Sequence, residues 1–259
     1  MTPDERRAAL EQIASEVRAC TACRLAEGRT RAVPGEGDPD TEVVFVGEGP
    51  GFNEDREGRP FVGRAGGLLV RLLGSIGWQR EDVFITNVVK CRPPDNRDPQ
   101  PDEIAACAPF LRRQLEALDP SVVVTLGRYS MGTFMPGARI GQVHGTTVLA
   151  DPATGARDAV AFAMYHPAAA LRTPALELES FEDIARVPAV LVQSRDRRGA
   201  TVEAGGPASE TTHGQGSAPA IAPSHVPAPA APPAKASAPA QPVESPAPVA
   251  DDASQLTLF

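Results

Sequence analysis

The chain has 259 residues, 33 acidic against 25 basic side chains for a formal net charge of −8, and 42% hydrophobic residues. That length fits one large domain or two small ones. The charge excludes a globally basic nucleic-acid coat but not local phosphate contacts, because arginine dominates the basic set.

In chain order, Leu10, Ile13 and Val17 share one face of a predicted helix starting at Pro3 and Asp4. Strand-like apolar runs follow at 41–47, 82–89, 121–127 and 158–166, with helical patterns at 65–77, 101–118 and 128–134 between them. A last helix is expected over 176–194, kinked at Pro188. Continuous apolar strands alternating with helices predict an α/β fold: three layers, α/β/α, around a central, mostly parallel four-stranded sheet. In such sheets ligands bind beyond the carboxyl ends of the strands. This brings together GEGPG (47–51), TNVVKC (86–91), LGRYS (126–130) and YHPAAALR (165–172).

From Gly199 onward the composition changes: 11 Pro and 16 Ala stand in 61 residues, and the single aromatic is the terminal Phe259. Such a segment cannot bury enough apolar surface to offset its ordering entropy. The expected organisation is a domain over 1–198, a disordered Pro/Ala-rich linker over 199–254, and a short motif over 255–259. The linker and motif hold one base and five acids, so residues 1–198 carry 24 bases against 28 acids. No apolar run nears the ~20 residues that cross a bilayer, and MTPDERRAAL, polar and with acids beside its bases, does not read as a leader. A cytoplasmic protein without membrane association is expected. In a reducing compartment, cysteines are metal ligands more often than disulfides.

The loop after the first strand, VGEGPGFNEDREGRPFVGRAGG (46–67), is rich in glycine. It is not a dinucleotide fingerprint: Pro50 interrupts it, Phe52 stands at the third glycine position, and the helix begins only near Gly66. It is not a P-loop, since no Gly-Lys-Ser/Thr follows, and Glu48, Glu54 and Asp55 would repel a pyrophosphate. Glycine-freed amides, the aromatic Phe61 and a few carboxylates instead suit a flat, uncharged heterocycle. All four cysteines fall into one pattern, Cys20-x2-Cys23, then Cys91 and Cys107 with fifteen residues between them. Thiolates from three places in the chain suit an iron-sulfur cluster at least as well as zinc. Their placement clips the N-terminal helix to the segment after the second strand, which favours a structural role.

With GEGPGFNED, GRPFVGRAG, TNVVKCRPP, the four-cysteine pattern and HPAAALR in this order, residues 10 to 195 closely resemble the family 4 uracil-DNA glycosylases. The resemblance implies a 4Fe-4S cluster on Cys20, Cys23, Cys91 and Cys107. It also implies hydrolysis of the uracil N-glycosidic bond in uracil-containing DNA, with the base turned out of the stack, as the start of base-excision repair. By the same resemblance Phe61 stacks on the uracil and Asn87 bonds its Watson–Crick edge. The backbone around Glu48, Gly49 and Pro50 meets its carbonyls, and His166 donates to O2. In family 1 an aspartate occupies the place of Gly49, where family 4 usually has alanine. Water orientation therefore falls to Glu54 or Asp55, with Glu54 preferred, or else Glu54 only screens the C5 edge against thymine. Leu171 and Arg172 are read as a wedge and a phosphate contact, with Leu171 as plain core the alternative.

One cluster-bearing relative of this family bonds covalently to DNA through a histidine in a basic insertion. This chain has RPPDNRDPQPDE there, so covalent capture is not expected and His144 is placed in a loop near the DNA backbone. At the end of the chain, Gln255, Leu256, Leu258 and Phe259 match the bacterial sliding-clamp motif Q-L-x-L-F on a long tether. A non-catalytic iron-sulfur DNA-binding module that recognises damaged bases is the alternative function. A monomer is the default.

Overall fold

The structure, a computed structural model, describes residues 1–204. The remainder of the expected linker and the clamp-type motif Gln255, Leu256, Leu258 and Phe259 lie outside the described residues. The elements are α1 (Pro3–Ala19), α2 (Leu25–Gly28), β1 (Glu36–Gly37), β2 (Val43–Gly47), α3 (Phe52–Glu57), α4 (Arg64–Ser75), β3 (Phe84–Asn87) and α5 (Pro101–Leu118). They continue with β4 (Val122–Leu126), α6 (Arg128–Phe134), α7 (Ile140–Val143), β5 (Thr147–Leu149), β6 (Val160–Met164), α8 (Pro167–Ala170), α9 (Pro174–Ile184) and α10 (Val187–Ala204). Among the described residues no helix is long and apolar enough to cross a membrane.

The sheet runs β1-β3-β2-β4-β6-β5, and its four central strands are parallel. The expected four-stranded sheet is corrected to six strands by two antiparallel edges, β1 on β3 and β5 on β6. β1 is two residues in a Gly/Pro-rich stretch, and β5 is three exposed residues, so neither carries an apolar pattern to read. Side chains along the central strands alternate between two cores. Val44, Val46, Val123, Ala161 and Ala163 face one core with Ile13, Val17, Leu111 and Leu115 of α1 and α5. Val43, Phe45, Val122, Val124, Phe162 and Met164 face the other with Leu68, Leu69, Leu72 and Leu73 of α4 and Ile184 of α9. This is the three-layer α/β/α arrangement, with parallel strand ends on a shared rim.

The single kinked helix expected over 176–194 is two helices, α9 and α10. Pro188 falls in the first turn of α10, where a missing N–H leaves no helical bond unmade.

Candidate active site

The carboxyl ends of β2, β3 and β6 open onto a cavity of about 320 Å³ lined by Glu48, Glu54, Phe61, Asn87, His166 and Arg172, with Gly49, Pro50 and Gly51 as its backbone wall. The expected ring-binding residues therefore converge. β2 and β3 are locked at this end, because the Val88 amide donates to Gly47 O at 3.0 Å and the Val89 amide to Glu48 O at 3.1 Å.

Two glycines let the floor close up. A Cβ on Gly47 would stand 2.4 Å from Asn87 Oδ1 and 2.6 Å from Phe61 Cε2 and Cζ, so the ring edge and the carboxamide meet over this bare backbone. A Cβ on Gly66 would stand 1.8 Å from Phe61 O, so the start of α4 packs directly against the Phe61 main chain. Phe61 itself has a left-handed φ of 44°, a conformation costly for an aromatic residue. Arg80 braces it, donating from Nη1 to Phe61 O at 2.9 Å, from Nη2 to Pro60 O, and from Nε to Glu36 Oε1 on the sheet edge at 2.9 Å.

Asn87 is 1% exposed, and its Oδ1 has no hydrogen-bond partner. A buried acceptor left unmade costs ~1–3 kcal/mol, so its presence in a cavity wall points to a donor from outside the chain. His166 caps α8, and its Nδ1 accepts from the Ala168 amide at 3.1 Å. That acceptor role puts the proton on Nε2. Burial pushes the imidazole pKa down to about 4, against a smaller upward pull from Glu54, so the ring is neutral at ordinary pH. Its centroid lies 5.7 Å from that of Phe61.

Glu54 is fully engaged. Its Oε1 accepts from the Val62 and Gly63 amides at 2.8 and 3.0 Å, and its Oε2 from the Gly51 amide at 3.1 Å. It thus ties both ends of the loop carrying Phe61. Asp55 is buried and accepts from the Thr30 amide at 2.9 Å and the Arg31 amide at 3.4 Å. Glu48 differs from both: it is half-buried, it lines the cavity, and no hydrogen bond engages its carboxylate among the described residues. Burial first, then the Asp98 charge, raises its pKa, with Arg128 opposing.

Arg172 lines the cavity from an exposed position, whereas Leu171 is half-buried and packs against the α4/α9 core. His144, at the C-terminus of α7, sits 2.8 Å by Nδ1 from Asp183 Oδ2 and packs on the Tyr165 ring at 4.5 Å.

The model of the Uracil DNA glycosylase superfamily matches residues 34–187, the span that builds this cavity. The chain belongs to that superfamily. Among its relatives in the superfamily, it is 48% identical over 188 residues to a Type-4 uracil-DNA glycosylase of Saccharolobus solfataricus, covering 70% of this chain and 86% of the relative. It is 47% identical over 177 residues to the Type-4 uracil-DNA glycosylase of Thermotoga maritima, covering 68% and 91%. To that of Archaeoglobus fulgidus it is 44% identical over 183 residues, covering 69% and 91%.

Outside the matched strand ends, Cys20, Cys23, Cys91 and Cys107 line one small cavity between α1 and α5. Three of the sulfurs accept hydrogen bonds: Cys20 from the Ala22 amide at 3.5 Å, Cys91 from Arg29 Nη1 at 3.1 Å, and Cys107 from the Lys90 amide at 3.2 Å. Among the described residues no three Cys, His, Asp or Glu side chains close on a single ion. Burial raises the thiol pKa values of Cys91 and Cys107, the latter to about 11, while Arg29 and Lys90 pull them down.

Lys90, the only lysine among residues 1–204, joins the two sites. It is 1% exposed, and its Nζ donates to Asn87 O at 2.7 Å, Thr86 Oγ1 at 2.6 Å and Gln114 Oε1 at 2.7 Å. Sequence reasoning missed Lys90, Arg80 and the Glu48 side chain. For Lys90 a signal existed: a lone charge set between an apolar strand end and a cysteine.

Proposed function

We propose that this chain is a uracil-DNA glycosylase that hydrolyses the bond between uracil and deoxyribose in DNA, initiating base-excision repair. The observation that carries the site assignment is the partnerless, buried Asn87 Oδ1 beside the Phe61 ring. Uracil offers an N3–H donor beside the O4 acceptor, the complement of a carboxamide. Cytosine presents an acceptor at N3 and would leave Oδ1 facing a lone pair, a mismatch that polar sites reject strongly. Phe61 stacks on the ring, and the Nε2–H of neutral His166 reaches O2, where negative charge gathers as the base departs. An extruded nucleotide is required, since these groups line a recess rather than a groove.

Glu48 orients the water. Its unengaged carboxylate, held ionised above its raised pKa, stabilises the cationic sugar and takes the proton as water oxygen bonds to C1′. The C1′–N1 electrons leave with uracil, which is protonated from solvent. Arg172 contacts a neighbouring phosphate.

The four cysteines, contributed by three separate places in the chain, would hold a 4Fe-4S cluster: they line one cavity, and the sulfurs of Cys20, Cys91 and Cys107 accept hydrogen bonds there. The cluster supplies cross-linking between α1, the β3 end and α5 rather than chemistry on DNA. Incubating the protein with a uracil-containing strand and then alkali tests the function: cleavage at uracil, with cytosine and thymine strands intact, is expected. An intact uracil strand that is nonetheless retarded in a gel would favour the non-catalytic damage binder.

A further inference from the structure

We propose that Phe52, flanked by Arg56 and Arg92, is a stacking platform for an unpaired base of the DNA strand next to the extruded uracil. Phe52 is 52% exposed, at the start of α3. The Arg56 guanidinium lies 5.6 Å and the Arg92 guanidinium 5.2 Å from its ring centroid. Neither arginine is ion-paired to a carboxylate among the described residues, unlike Arg24, Arg97, Arg113 and Arg128.

The platform is continuous with the cavity rim. Gly51, the neighbour of Phe52, lines the cavity, and so does Asn96, whose Oδ1 accepts from Arg92 Nε at 2.7 Å. Arg172 stands exposed at the cavity as well. A half-exposed ring with two guanidiniums over it, neither ion-paired among the described residues, matches the two needs of a single strand: a base stacks on the ring as a guanidinium swings from it to the adjoining phosphate. A protein partner would use the aromatic but has less reason for two unpaired cations beside it. The inference rests on the reading of the adjacent cavity as a uracil site.

The test is a cycle between protein and DNA. Affinity is measured for a single strand carrying 2′-fluoro-2′-deoxyuridine, which resists hydrolysis, flanked either by normal bases or by baseless spacers. Phe52→Ala and Phe52→Leu should each weaken binding about tenfold with flanking bases and less than about twofold with spacers, while Phe52→Trp keeps the affinity. Arg92→Ala should lower the slope of log affinity against log salt by about 0.7. Unchanged affinity for the alanine and leucine variants overturns the platform and leaves the surface to a protein partner. Equal losses with bases and with spacers overturn stacking. Failure of the wild-type protein to release uracil from ordinary DNA would instead refute the proposed function, and the binding cycle remains readable without it.

Discussion

Glu48, in the loop after β2, and Glu54, six residues on in α3, have different surroundings. Three main-chain amides hold Glu54, while nothing in the described protein holds Glu48. Glu54→Gln turns an NH2 group toward at least one of those amides. It should cost ~2 kcal/mol of stability and lower the melting temperature together with activity. Glu48→Gln should leave the melting temperature within about a degree and lower single-turnover excision about a hundredfold, at the modest end of general-base effects of ~10²–10⁴. A pH series adds the sign. Because Glu48 acts ionised and its pKa is raised, the rate should fall as pH drops through a value above the ordinary carboxylate range. His166, neutral down to about 4, adds no break near its usual 6.5. The convergence of Phe61, Asn87 and His166 on one cavity was legible because strand ends must meet. The division between the two glutamates was not, because two of the three amides that occupy Glu54 come from residues eight and nine positions away, through closure of a loop.

At the scale of elements, the start of α4 sets where the Phe61 ring sits. Gly66 and Gly67 are neighbours in sequence with opposite requirements: a Cβ at Gly66 runs into Phe61 O, whereas one at Gly67 meets nothing within 4 Å. Gly67→Ala should raise stability by ~0.5–1 kcal/mol through helix propensity alone, with activity retained. Gly66→Ala must push α4 off the loop, and should lower both the melting temperature and excision, the latter by at least ~10²-fold, as expected for angstrom-scale misplacement. Thermal melts and single-turnover rates of the pair check this. The four central strands were legible as continuous apolar runs because both faces are covered. β1 and β5 were not, since two or three residues on an edge carry no burial pattern. The break between α9 and α10 was read as a kink because a proline in a first turn and a proline in a bent helix leave the same trace in sequence.

Across the molecule, the proposed cluster would join segments distant in sequence: Cys20 and Cys23 follow α1, Cys91 follows β3, and Cys107 lies in α5. Cys107→Ser should therefore lose bound iron, measured by metal analysis of the purified protein, and lower the melting temperature by several degrees. Full iron content and unchanged melting in that variant would refute a cluster on this quartet. The four-cysteine pattern was legible from spacing; the link from it through Lys90 to Asn87 was not, because burial of one lysine depends on partners from β3 and α5 together.

The brace from Glu36 through Arg80 to the Phe61 carbonyl anchors the Phe61 ring to the edge of the sheet. Its awkward backbone angle is thus settled when the protein folds, before any nucleotide arrives. On the proposed reading an incoming base would meet a finished receptacle, and the attraction between ring and ring would remain free to offset the loss of its neighbours in the duplex.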